Sequence, residues 1–359
     1  MHPNYLSYPT IRTLLILPEL LLPITILKHL KTMILLITTA VIGYTVLIYL
    51  LRKRHDKFLE STPYPKTAAD CHQFTSRYIY GDFNFIAVKS LEFGLFKTYA
   101  IPSISKVLYS TRELVDRCGR RYDDTDLIIR EFLEHDPNEP RAVASIERMN
   151  FIHSQYKISN EDYLYVLSVF IVEPIRWVER YGFRYPHEKE KYAMHLRWKI
   201  IGEQMGIKDI PASYAATELY LDRFEEKNMV YAESNVKVGT STTNLFLSIL
   251  PAKLRPMSKP AIYALCPPRL RKAMGFPDPP TLLVVLIDAS LKLAGYFVRY
   301  LMPPSRMPKF RTSREPVAVS KNTLLYPKFN PFNKTYENGY KISELGPECL
   351  RSCPMSGNK

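Results

Sequence analysis

The chain lacks the sequence motifs of the common catalytic classes. No GxGxxG follows a strand pattern, and GxxxxGK[ST], GxSxG and HExxH are all missing. Each of those chemistries needs its residues at that spacing, to cradle a phosphate, expose a nucleophile or set two imidazoles on one helix face. Their absence excludes the readily recognised nucleotide-binding, hydrolase and zinc-protease classes. Cysteine is scarce. Cys71, Cys118, Cys266, Cys349 and Cys353 include no CxxC pair, and an odd, scattered set is a poor disulfide framework, so they read as mostly free thiols in a reducing compartment. No Phe-rich cysteine loop of the type that ligates haem in cytochromes P450 occurs. Sustained polar/apolar alternation and internal repeats are also missing, which leaves an all-α body as the expected fold.

What is present is a globular composition, 46% hydrophobic and 23% charged over 359 residues, enough to bury a sizeable core. Acid is in deficit. The formal net charge of +14 calls for an anionic partner, either nucleic acid or an anionic membrane face. Sequence position decides for the membrane. Met33 to Leu51 is 19 consecutive uncharged, largely apolar residues, about the length that crosses a hydrocarbon core as a helix. The run is long for a signal-peptide h-region and ends in Arg52, Lys53 and Arg54 where a cleavage site would need small residues. With Lys57 and Lys66 added, the basic excess lies C-terminal to the span, which places the body in the cytosol. An earlier greasy stretch, Leu14 to Leu27, contains Pro18, Glu19 and Pro23 and reads as interfacial or re-entrant.

The expected organisation is therefore an N-terminal luminal or interfacial segment (1–32), a transmembrane helix (33–51), a basic connector (52–70), a helical domain (71–304) and a flexible basic tail (305–359). Beyond Pro304 the chain is rich in Pro, Ser, Asn, Lys and Arg without periodicity. Asn333-Lys334-Thr335 matches a glycosylation sequon that a cytosolic tail would leave unused.

Within the body, Lys97 and Thr98 close a helix whose apolar positions include Phe85, Val88 and Leu91, and a lysine there is ordinarily a cation favoured at a helix C-terminus. From about Arg141 to Tyr156, Ala142, Ile146, Met149, Asn150 and His153 share one stripe, so His153 faces the core. Arg148, five residues earlier and roughly 140° round the helix, does not share that face closely. Ser159 caps the next helix, YLYVLSVFIV, which is apolar on every side but too short to span a bilayer, and Pro174 must kink or end it. Glu173 and Arg176 could pair beside that kink. His195 lies on the inward face of a later helix and reads as a packing residue. Thr281 to Met302 reads as an amphipathic, surface-packed helix with no second anchor implied.

Four stretches carry a resemblance: FGLFKTYAIPSISKVL (Phe93–Leu108), RMNFIHSQYKISNEDYLYVLSVFIVEPIRWVERYGFR (Arg148–Arg184), MGIKDIP (Met205–Pro211) and PPRLRKAMGFPDPP (Pro267–Pro280). Through these the chain resembles the ER-bound oxygenases typified by MpaB and, more distantly, the rubber oxygenases (latex clearing protein), over roughly Lys53 to Pro304. The resemblance implies an all-α, haem-oxygenase-like body with haem b as cofactor and O₂ as co-substrate. His153 would be the axial ligand of the iron, Lys97 and Thr98 the polar group near its opposite face, and Arg148 a charged residue of the catalytic set. It also implies oxidation or cleavage of a C=C bond in the prenyl or terpenoid chain of a secondary metabolite. The implied setting is the ER membrane, single-pass, with a hydrophobic small-molecule substrate, no nucleic acid, and other biosynthetic enzymes as partners. Two rivals stay open. One is a non-haem iron oxygenase using His153, His195 or His187 with a carboxylate such as Glu173; the other is a non-catalytic membrane scaffold of a biosynthetic pathway.

Overall fold

A computed structural model describes residues 17–305, 307–312, 323–326 and 336–351, with side chains from residue 26. Residues 1–16, the sequon at 333–335 and Cys353 lie outside the described residues. Fourteen α-helices are described and no strand, so the all-α expectation holds among these residues. The helices are α1 (Leu17–Ser61), α2 (Ala68–Ser76), α3 (Asn84–Thr98), α4 (Pro102–Ser110), α5 (Glu113–Asp116), α6 (Cys118–Leu133) and α7 (Pro140–Ser154). They continue with α8 (Asn160–Tyr181), α9 (Glu188–Gln204), α10 (Tyr214–Asn228), α11 (Glu233–Leu247), α12 (Arg255–Leu265), α13 (Pro268–Met274) and α14 (Thr281–Leu301). The chain divides into two compact units, residues 1–58 with 300–304, and residues 59–299 with 305–359.

In the first unit, α1 runs without interruption through both Pro18 and Pro23, so neither proline separates residues 17–27 from the helix that follows. Pro18 falls in the first turn, where its missing N–H leaves no bond unmade. Pro23 removes one hydrogen bond from a helix long enough to absorb the loss. Leu35, Leu36, Ile37 and Ile42 are exposed along α1. The hydroxyls of Thr38 and Thr39 donate back to the carbonyls of Ile34 and Leu35, both at 2.8 Å, the usual way a hydroxyl is satisfied where water is absent. Tyr44 Oη donates to Leu301 O at 2.9 Å and Arg52 Nη2 to Met302 O at 2.8 Å.

The second unit is organised around α8. Ser159 caps it as expected, accepting from Asp162 N at 3.1 Å. Pro174 neither ends nor divides it, and the carbonyl of Pro174 accepts from Tyr78 Oη. Leu164, Tyr165, Leu167, Val169, Ile171, Val172 and Ile175 are all buried, each contributing about 1.5–3 kcal/mol of apolar burial. Glycines let neighbours come close. A Cβ on Gly94 of α3 would sit 2.8 Å from Val169 Cγ1, and one on Gly202 of α9 would sit 2.6 Å from Leu167 Cδ2. A buried polar knot ties α4 to α11: Ser105 Oγ donates to Asn235 Oδ1 at 2.5 Å, and Asn235 Nδ2 donates to the carbonyls of Ala100, Val230 and Ala273.

The expectation of a loose tail is corrected for the described part of it. Leu325, Tyr336, Tyr340, Ile342 and Leu345 are buried in the main core. Leu325 and Tyr340 pair as an isolated antiparallel bridge, Tyr336 Oη donates to Asp124, and Tyr340 Oη donates to Glu131. Composition could not reveal this, because the strap packs through a few isolated aromatics with no period.

Helix α14 packs by one face and leaves an apolar face outward. Asp288 accepts from Arg180 Nη2 at 2.6 Å and pairs with Lys292 at 2.7 Å, but Leu282, Val285, Leu286, Leu293 and Phe297 are exposed. Among the described residues two helices, α1 from Ile26 and α14, are long and apolar enough to cross a membrane.

Candidate functional site

Helix α7 starts at Pro140, whose fixed φ suits the first turn. It is held to α6 by a buried bidentate pair, Arg141 Nε and Nη2 to Glu131 at 2.7 Å each. That pairing turns Ala142, Ile146 and Ile152 into the core. Asn150, expected on the same stripe, instead donates outward to Gln204 O at 3.0 Å. His153, in the last turn, lies at the wall of a cavity of about 270 Å³ within the second unit.

The wall is mainly apolar: Leu91 and Phe96 from α3, Ile128 from α6, Met149 from α7, Leu167 and Phe170 from α8, and Trp198 from α9. Trp198 stacks on Phe170 with centroids 4.7 Å apart, and its Nε1 is buried without a hydrogen-bond partner. Tyr163 meets the His153 ring edge-on at 5.5 Å. Nδ1 of His153 is likewise buried and has no hydrogen-bond partner. Burial, and secondly the charge of Arg121, push the imidazole pKa down to about 4, so the ring is neutral at physiological pH with a lone pair to offer.

Lys97 and Thr98 part company. Thr98 lines the cavity, with Oγ1 donating to Leu95 O at 2.7 Å. Lys97 instead turns to α8 and α10, its Nζ 2.7 Å from both Glu173 Oε1 and Glu225 Oε1. Burial lowers the lysine pKa, but the two carboxylates more than offset it and the net shift is upward. Lys97 therefore anchors the α3–α8–α10 junction and does not face the cavity. Glu173 is thereby committed to Lys97, and Arg176, its expected partner, binds Glu218 at 2.9 Å and Asp222 at 2.8 Å.

Arg148 is fully buried on the other face of α7, where Nε donates to Leu345 O at 2.8 Å and Nη2 to Leu350 O at 3.0 Å. It holds the C-terminal strap and is not a cavity residue. The alternative metal set does not assemble either. His195 Nε2 lies 2.9 Å from Pro211 O, and His187 caps α9 through Nδ1. Among the described residues no three His, Cys, Asp or Glu groups come together at metal-holding distance.

Sequence reasoning passed over Arg121, which also lines the cavity. The signal was present in the spacing. Arg121, Thr125, Ile128 and Phe132 recur at three- or four-residue intervals on α6 and all line the cavity, so one polar and apolar stripe faces it.

Comparison with known proteins adds the following. A family model described as "ER-bound oxygenase mpaB/B'/Rubber oxygenase, catalytic domain" matches residues 81–299. The ER-bound oxygenase mpaB' of Penicillium brevicompactum is 29% identical over 289 residues, 73% of this chain and 68% of the relative. The ER-bound oxygenase mpaB of Penicillium roqueforti (strain FM164) is 30% identical over 259 residues, 65% of this chain and 87% of the relative. The mpaB protein of P. brevicompactum is 34% identical over 233 residues, 58% of this chain and 59% of the relative.

Proposed function

Because the chain belongs to the family of ER-bound oxygenases mpaB/B' and rubber oxygenases, we propose that it oxidises or cleaves a C=C bond in the prenyl or terpenoid chain of a secondary metabolite, with O₂ and a haem b held by His153. The observation that carries this reading is the unpartnered Nδ1 of His153 at the wall of an apolar cavity. A buried polar nitrogen without a partner costs about 1–3 kcal/mol, and a metal bond would offset that cost. The lowered pKa supports the same reading, since a ligating imidazole must be neutral.

The residues present fit such a group. His153 would hold the iron, and the haem when bound would supply O₂ activation. Leu91, Phe96, Ile128, Leu167 and Phe170 would surround an apolar chain and keep water away. Thr98 is one of the hydroxyls at the wall, its proton engaged by Leu95 O and its oxygen able to accept.

The membrane belongs to this reading too. The relatives are named ER-bound, and α1 is long, apolar and exposed. The basic cluster after residue 51 supports a cytosol-facing body on the ER membrane, which protease protection on sealed microsomes would test. Such a setting suits a substrate whose tail partitions into lipid, and other enzymes of the same biosynthesis would be natural neighbours.

An absorption spectrum of the purified protein tests the haem. We expect a Soret band that disappears in His153→Ala, with the helical circular dichroism unchanged. A full Soret band and full oxygenase activity in that variant would sink the assignment. Iron without a Soret band would favour the non-haem alternative, and no metal the scaffold.

A further inference from the structure

We propose that Arg121 makes the cavity selective for a carboxylate, either at the end of the substrate's apolar chain or on the cofactor. Three arginines reach the cavity wall, Arg121, Arg130 and Arg311. Two face acids: Arg130 pairs with Asp126, Arg311 Nη2 lies 3.1 Å from the same carboxylate, and Glu134 is coupled electrostatically to both. Arg121 has no such partner among the described residues. Its guanidinium donates to the hydroxyl of Thr125, a neutral group.

The other acids at the wall are committed elsewhere. Glu92 is paired with Lys89 at 2.7 Å, and Asp162 accepts from Ser103 at 2.6 Å and Ser159 at 2.8 Å. Asp124, three residues along α6, is not at the wall; it accepts from Tyr336 and feels the charge of Arg121 without forming an ion pair with it.

A half-buried guanidinium at mainly apolar walls with no ion-pair partner favours an anion brought into the cavity, and the fork of a carboxylate is the group that matches it bidentately. One arginine neutralises one charge. A phosphate ester would leave a second negative charge in the cavity, so the monoanionic carboxylate is the better fit. Arg121 and His153 line the same cavity, so the anion would be held in the chamber of the proposed reaction site, with the chain extending along the apolar wall. The cofactor arm of this inference rests on the haem reading; the substrate arm does not.

The test uses the full-length protein in detergent micelles and two matched probe pairs. In the first, farnesoic acid and methyl farnesoate are titrated by calorimetry into the wild type, Arg121→Gln and Arg121→Lys. A substrate carboxylate predicts at least tenfold tighter binding of the acid than the ester. That preference disappears in Arg121→Gln and is partly kept in Arg121→Lys. In the second, haem b and its dimethyl ester are titrated spectroscopically. A cofactor carboxylate predicts that Arg121→Gln weakens haem b about tenfold and leaves the dimethyl ester unchanged. If both acid-to-ester ratios are the same in the wild type and in Arg121→Gln, with all variants melting at the wild-type temperature, the proposal is overturned. Failure of the haem reading is separately visible, because the farnesoate pair reports on Arg121 whether or not iron is bound.

Discussion

Lys97 Nζ lies 2.7 Å from Glu173 Oε1, a buried bond that ties the end of α3 to the middle of α8 across 76 residues of chain. Glu225 of α10 completes the cluster, itself accepting from Tyr165 Oη at 3.3 Å. The resemblance placed Lys97 beside Thr98 at the reaction centre, whereas the geometry gives the two residues different tasks.

Lys97→Met is accordingly expected to destabilise the fold by about 3–5 kcal/mol, because it leaves two buried carboxylates uncompensated. The triple variant Lys97→Met, Glu173→Gln, Glu225→Gln should recover much of that loss. Denaturant melts measure both. Retention of cofactor by the folded triple variant would separate a structural cation from a catalytic one. Loss of oxygenase activity with full stability and full cofactor content would return Lys97 to the chemistry.

Arg148 should behave as a clasp. Arg148→Met leaves the carbonyls of Leu345 and Leu350 without their donor, and we expect a loss of about 2–3 kcal/mol together with faster proteolysis after residue 335. The Soret spectrum of the fraction that remains folded should be unchanged. A variant of wild-type stability with a shifted spectrum would refute the clasp.

Much of this architecture was legible before any coordinates. Ser159 and Pro140 announced their helices, the apolar run from Tyr163 to Val172 announced the central helix, and His153 was placed on the inward face by its spacing from Ala142 and Ile146. What could not be read were relations between distant elements. Lys97 needs Glu225 and Arg148 needs Leu345, partners 128 and 197 residues away, and no local pattern encodes such pairings. Arg121 was hidden for another reason. Its spacing from Thr125, Ile128 and Phe132 put it on one stripe of α6, but a stripe that begins with an arginine does not by itself announce a cavity, and only the fold supplies one.

His153 makes stability pH-dependent in a defined window. Its pKa falls from 6.5 to about 4 on folding, so between those values the unfolded chain binds the proton and the native chain does not. Above pH 6.5 the residue is neutral in both states and contributes nothing. As pH drops through the window stability is lost, by at most about 3 kcal/mol. His153→Phe should remove that part of the slope in chemical melts taken between pH 7 and pH 4. An unchanged slope would mean that the ring is protonated in the native state.

Asp123 has the opposite sign. It is fully buried with neither carboxylate oxygen hydrogen-bonded, and burial, with the nearby charge of Asp126, pushes its pKa up to about 7. The native state therefore keeps the proton that the unfolded chain gives up from about pH 4, and stability falls as pH rises from about 4 to 7 and levels off above that. Asp123→Asn should raise the melting temperature most at pH 7 to 8, less at pH 5, and leave it unchanged below about pH 4. Equal effects at pH 8 and pH 5 would show that the gain comes from packing and not from titration.

Helix α14 is expected to lie along the membrane surface and not to cross it. Its length and apolarity satisfy the requirement for a span. However, residues on both sides of it, the stretch before Thr281 and the strap from Ser305, belong to the same compact unit, and a crossing would separate them by about 30 Å of hydrocarbon. Its polar side is also occupied. Asp288 is bonded to Arg180 and Tyr181 of α8, and a Cβ on Gly295 would collide with Tyr181 O, so this face is docked and the Leu286, Leu293, Phe297 face is left outward. A helix docked on one side and apolar on the other is the form that buries one face in the acyl boundary. A chain beginning at Leu59 should then still sediment with vesicles of ER lipid composition, and the changes Leu286→Glu, Leu293→Glu and Phe297→Glu together should release it. Release of the shortened chain without those changes would assign all membrane attachment to α1, and protease cleavage of the strap from the luminal side of sealed microsomes would make α14 a second span.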